Sequence, residues 1–146
     1  MWPDGEWMPI ARLVEPDETA RWHTYCEGGC GTYRLVALAD VAARRPTVLR
    51  RICGDDPSGT LYVGQTNDLF RRLSALIRTY HPAYAAAIYA AFPPVLAAAY
   101  PPETLAVSWE NQPDQLAAQV REAHLLRSYV ACFGELPPRN GQGGAP

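Results

Sequence analysis

The chain has 146 residues, of which 48% are apolar and 19% charged, so it can bury one core and is too apolar to remain disordered. All thirteen basic residues are arginine, which excludes Schiff-base chemistry and a lysine general base. The net charge of −2 does not by itself announce a nucleic-acid partner. The opening MWPDGEWMPI carries acids early and no apolar h-region, so no signal peptide is expected. The longest apolar stretch, AAAIYAAFPPVLAAAY, is broken by Pro93-Pro94 and is too short to span a bilayer. The expectation is a cytoplasmic protein with no membrane partner.

In chain order, residues 1–29 read as an irregular N-terminal extension, with a short helix possible over DETARWHTYC. GTYRLVAL (31–38) reads as a strand by its β-branched and aromatic content. Residues 39–59 form a long connection ending in the turn signal GDDPSG, and TLYVGQ (60–65) is a second strand expected to pair antiparallel with the first. TNDLFRRLSALIRTY (66–80) is a helix that Thr66, Asn67 or Asp68 can cap. PAYAAAIYAAF (82–92) is an alanine-rich helix, TLAVSWE (104–110) a third strand, and PDQLAAQVREAHLLRSYVACF (113–133) a long helix closed by Gly134. Residues 142–146 read as a flexible tail. This order gives an α/β domain with a small three-stranded mixed or antiparallel sheet flanked by helices.

Charge is unevenly spread. Between Arg34 and Arg78 there are eight arginines against four acids, an excess that suits a local phosphate-facing surface. Arg44, Arg45, Arg50 and Arg51 in the 39–59 connection are the candidates for tracking a nucleic-acid backbone. Tyr80, Tyr84 and Tyr89 are better explained by packing than by base stacking. Cys26 and Cys30, with His23 and Cys53, can be drawn as a zinc site, but one loose pair lacks the repeated knuckle spacing of zinc ribbons, and reduced thiols are the expectation.

Helical geometry separates neighbouring residues on the two main helices. On 66–80, Leu69, Phe70, Leu73, Leu76, Ile77 and Tyr80 form the apolar stripe; Arg71 lies opposite it, whereas Arg72 lies about 95° from its centre, at the border of the buried face. On 113–133, Leu116, Val120, Ala123, Leu126 and Val130 mark the expected core face, Glu122 sits roughly 80° from its centre, and Arg121 points away. The two helices thus offer a border arginine and a border carboxylate, and the strands offer Tyr33 and Tyr62. An ordinary Arg72–Glu122 ion pair is the structural alternative.

With these residues in view, GTY at 31–33 followed by YVG at 62–64 resembles the GIY-YIG nuclease family. The resemblance continues with Arg72 ten residues after Tyr62, Glu122 on the last helix in REAHLLRSY, and Asn140 after the prolines of LPPRN. It covers about residues 30–141 as one domain, with 39–59 as an insertion much longer than the family's usual gap between the tyrosines; Thr32 stands where the family has isoleucine. It implies a metal-dependent endonuclease hydrolysing DNA, with Tyr33, Tyr62, Arg72 and Glu122 catalytic and Gly64, His81 and Asn140 supporting. Glu122 would hold Mg2+ or Mn2+. Tyr62 would position or deprotonate the attacking water and Tyr33 would hold the network together; a base role for Tyr62 would require its pKa to fall by roughly 2–3 units, for which Arg72 and the ion are the available causes. The other readings are a catalytically silent nucleic-acid-binding or scaffold module and a small zinc-stabilised interaction domain.

Overall fold

The computed structural model of this chain describes residues 8–17, 19, 26, 29–80 and 99–141. The helix expected at 82–92, most of the one at 17–26, His23, His81, Tyr84, Tyr89 and the tail 142–146 lie outside the described residues.

The sheet is built around β2 (Cys30–Asp40), whose residues 31–38 are all buried. On one side β2 pairs antiparallel with β7 (Leu105–Gln112), from Cys30↔Gln112 to Ala37↔Leu105. On the other it pairs antiparallel with β6 (Thr60–Thr66), with Tyr33 opposite Gly64 and Leu35 opposite Tyr62. Two short strands complete it: β1 (Met8–Pro9) beyond β7, and β3 (Arg45–Pro46) hairpinned onto the end of β2. The expected three strands are therefore the main strands of a five-stranded, wholly antiparallel sheet, with β6 at its edge. The 39–59 insertion is also structured. Besides β3 it carries a two-stranded ribbon, β4 (Leu49–Arg51) and β5 (Gly54–Asp56).

Alternation along β2 and β7 gives the sheet two different faces. Tyr33, Leu35, Ala37, Leu105 and Val107 face one core, with Trp109 packed against it. Thr32, Arg34, Ser108 and Glu110 alternate with them and face the other way. A register shift after Leu35 puts the consecutive residues Leu61 and Tyr62 against the same first core.

Helix α1 (Leu69–Tyr80) covers the apolar face. Asp68 caps it, its Oδ1 accepting the Arg71 N–H at 3.0 Å. Its stripe lies where the spacing predicts: Leu69, Leu73, Leu76, Ile77 and Tyr80 are buried with Ile10 and Leu13 from the 3-10 turn Ile10–Val14.

Helix α2 (Gln115–Phe133) lies on the polar face. Asp114 caps it through the Ala117 N–H at 2.7 Å, and Gly134 ends it at φ 78°, a left-handed conformation that glycine adopts without strain. Here the structure corrects the expected core face. Leu116, Val120 and Val130 are 68%, 62% and 39% exposed, and the buried positions are Ala118, Leu125 and Tyr129. The reason is the surface beneath the helix. Gln115 donates to Gln65 Oε1, Arg121 forks onto both Glu110 oxygens at 2.8 and 2.9 Å, and Tyr129 donates to the buried Asp56 at 2.8 Å. A polar sheet face selects the helix side that can hydrogen-bond to it, not the most apolar side. Arg121, expected to point away, is half-buried in this ion pair, which holds Glu110 below the usual carboxylate range.

Candidate active site

The tyrosines come together because Tyr33 and Gly64 are register partners. A Cβ on Gly64 would lie 2.7 Å from Tyr33 Oη and 2.6 Å from Tyr62 Cε1, so both side chains converge over the one β6 position that has none. The two ring centroids are 6.0 Å apart. Tyr33 is fully buried, Tyr62 half-buried.

Arg72, a helical turn into α1, places its Cζ 5.7 Å from the Tyr33 ring centroid, while Arg71 is exposed. The border position on the helix thus translates into a guanidinium above the tyrosines. Glu122 comes from the opposite side of the sheet. On α2 it shares the line of Ala118, Leu125 and Tyr129, nearer the middle of the buried face than the border assigned to it. It is half-buried, and burial raises its carboxyl above the usual range. Arg72 and Glu122 form no ion pair with each other or with any other described residue.

The Tyr33 hydroxyl is where these groups are felt together. Burial pushes it well up from the ordinary phenol value, proximity to Tyr62 adds to that, the Arg72 cation opposes it, and the Glu122 charge reinforces it more weakly. The raised value suits Tyr33 to holding a hydrogen-bond network, the part the resemblance implies for it, and not to acting as a base. Among the described residues the hydroxyl has no hydrogen-bond partner, although Tyr62 is near enough to perturb it.

Asn140 lies alongside β6. Its side chain behaves as a strand neighbour of β6, accepting the Val63 N–H at 2.9 Å and donating to the Val63 carbonyl at 2.8 Å. The next residue back adds a third contact to the same edge, Arg139 N–H to Leu61 O at 2.9 Å. The C-terminal segment therefore grips β6 on both sides of Tyr62 and closes an otherwise free strand edge.

The insertion arginines are not equivalent. Arg51 donates to Leu136 O at 2.6 Å and pairs with Glu135 at 3.0 Å, so it braces the β4–β5 ribbon against the end of α2. Arg44, Arg45 and Arg50 are exposed, Arg44 at φ 51° in the turn after β2. From Tyr33 to the Asp40 end of β2 is roughly 23 Å at about 3.3 Å per residue, so Arg44 and Arg45 lie far along the sheet from the tyrosines. Arg34, the first arginine of the basic stretch, does not face solvent. It is 4% exposed and bonds Ser108 Oγ and Thr60 Oγ1 at 3.0 and 3.4 Å beneath α2.

The cysteines are dispersed. Cys26 is buried and its thiol pushed up to about 11 by that burial, Cys30 lies by Asn67 O, and Cys53 lies against Gly134 at the far end of α2. No group of three or more His, Cys, Asp or Glu side chains is close enough to share an ion among the described residues. Nor is any described helix long and apolar enough to cross a membrane. No protein-family model, curated protein or solved structure matches this chain.

Proposed function

We propose that this chain is a divalent-metal-dependent endonuclease of the GIY-YIG kind that hydrolyses phosphodiester bonds in DNA. One observation carries the reading: Tyr33 and Tyr62 converge over Gly64 with the Arg72 guanidinium 5.7 Å from the Tyr33 ring centroid, and neither Arg72 nor Glu122 is engaged in an ion pair among the described residues. Separate and half-buried, each suits a charged species arriving from outside, the arginine an anion and the carboxylate a cation.

In this reading Glu122 holds the divalent ion. A single carboxylate with a raised pKa and no hydrogen-bond partner among the described residues fits magnesium, which takes few protein ligands and keeps its waters. The ion, when bound, supplies Lewis-acid polarisation of the phosphate and its leaving oxygen. Arg72 hydrogen-bonds the non-bridging oxygens as charge builds on them. Tyr62, the more accessible tyrosine, orients the attacking water. Tyr33, kept neutral by burial, donates its proton to that network as a hydrogen bond. Water adds to phosphorus and releases one proton to solvent, the bond to the leaving oxygen breaks, and that oxygen takes up a proton from solvent, so one water is consumed with no net change in protons. Exposed Arg44, Arg45 and Arg50 supply salt-sensitive backbone contacts distant from the cut.

The test is cleavage of supercoiled, linear and single-stranded DNA with magnesium, manganese or chelator. Wild-type protein should cut with metal and stop with chelator, and Glu122→Ala should not cut while retaining its circular dichroism and a cooperative unfolding transition. Cleavage by Glu122→Ala near the wild-type rate would overturn the metal assignment. Salt-sensitive binding without cleavage by wild type would replace the enzyme with a binding module.

A further inference from the structure

The residues that precede two members of the candidate site are joined through Glu110. Thr32, just before Tyr33, is the register partner of Glu110 across β2 and β7; it is fully buried and donates its hydroxyl to Glu110 Oε2 at 3.4 Å. Arg121, just before Glu122, donates Nε to Oε2 at 2.8 Å and Nη2 to Oε1 at 2.9 Å. Gln112 Nε2 adds a contact to Oε2 at 3.4 Å. The Glu110 carboxylate is thereby fully engaged, whereas Glu122, one residue along from Arg121, forms no ion pair among the described residues. Two other ties between α2 and the surface beneath it, Gln115 to Gln65 and Tyr129 to Asp56, lie about two turns from Glu122 on either side, roughly 10 Å along the axis.

We infer that Glu110, acting through Arg121, is the positioning residue for Glu122: the fork fixes the rotation of α2 that holds the metal-binding carboxylate in the site. The inference rests on the endonuclease reading and adds to it the link between the strand of Tyr33 and the helix of Glu122. The helix itself shows why a link is needed. Its apolar side, Leu116, Val120 and Val130, faces outward, so the hydrophobic effect favours rolling α2 the other way. Directed bonds must oppose that roll, and a two-point fork on a planar guanidinium resists rotation where a single contact does not. Arg121 and Glu122 share one helical turn, so a roll that breaks the fork carries the Glu122 carboxylate with it. Displacing a metal ligand on the ångström scale is enough to weaken its hold on the ion.

The experiment reads metal binding without turnover: Mn2+ alone is titrated into the protein, and loss of its free-ion electron paramagnetic resonance signal gives the affinity. Glu110→Gln and Arg121→Gln should each weaken Mn2+ by about tenfold, the lower end of what residues that orient a metal ligand contribute. The double variant should bind no more weakly than either single one, because both break the same link. Charge alone predicts otherwise, since losing an arginine next to the carboxylate would tighten the ion. Arg121→Lys keeps the charge and loses the fork, so it should fold with the wild-type circular dichroism and still bind more weakly. Ile10→Ala, destabilised in the core against α1, should bind Mn2+ as wild type does, which separates position from stability. Unchanged or tighter binding in Arg121→Gln and Arg121→Lys would overturn the inference while the endonuclease reading stands. Mn2+ bound equally, or not at all, by wild type and Glu122→Ala would remove the metal assignment and this inference with it.

Discussion

Arg71 and Arg72 differ by one position and about 100° of helix, and the structure gives them different surroundings. Arg72→Ala should lower the cleavage rate by about 10²–10³-fold, the scale of losing one donor to transition-state charge, whereas Arg71→Ala should change it by less than about threefold. Equal effects would mean that the guanidinium over Tyr33 does not face substrate. Glu122 allows a test that needs no turnover. Burial raises its folded-state carboxyl above the ordinary value of 4.5, so its charged form is held at a cost in the native protein. The cost is absent below the unfolded-state pKa and grows as pH rises through the folded one. Glu122→Gln should therefore raise Tm at pH 7 and leave it unchanged near pH 4. Magnesium should raise the Tm of wild type and not of the variant. A Tm difference independent of pH would show that the carboxylate is not desolvated in solution.

Among the elements, α2 departs most from its sequence pattern. Its most apolar side, Leu116–Val120–Val130, looks outward, and Leu125 and Tyr129 look in. Leu125→Ala should cost about 2–4 kcal/mol in urea unfolding, and Leu116→Ala less than about 0.5 kcal/mol. The opposite order would restore the face that the spacing predicts. The strands, α1 with its cap at Asp68 and the close of α2 at Gly134 were legible because each depends on local signals: alternation, a 3.6-residue stripe, an Asp cap and a closing glycine. The start of α2 was expected at Pro113 and lies at Gln115, behind an Asp114 cap. The orientation of α2 was not legible, because it depends on the partner surface. The signal for it was nonetheless present in the strands. Thr32 and Arg34 interleave with Tyr33 and Leu35, and Ser108 and Glu110 follow Val107 and Trp109, which marks a sheet with one apolar and one polar face. A helix laid on the second face must offer hydrogen bonds, and the side carrying Arg121 and Tyr129 does so.

At the scale of the whole molecule, the candidate site sits at a sheet edge and depends on residues that the chain brings back from its far end. The motif spacing placed Tyr62, Gly64 and Arg72 near one another, since they lie within one strand–turn–helix unit. It did not show that Asn140 would bond the backbone of Val63, 77 residues earlier, because no local pattern encodes a contact of that range. That contact lies between Tyr62 and Gly64, so it couples the C-terminal segment to the position of the tyrosine. Asn140→Ala removes an acceptor and a donor from a buried strand residue and should cost about 1–3 kcal/mol, the scale of leaving such groups unsatisfied. Amide exchange resolves where the loss falls. With the side chain gone, Val63 N–H should exchange faster by a larger factor than Tyr33 N–H in the central strand, because the edge opens before the sheet does. If every sheet amide accelerates equally, Asn140 acts on global stability alone. Selective exposure of Val63, together with slowed cleavage at temperatures where the variant remains folded, would show that the tail holds Tyr62 in place by holding the edge of β6.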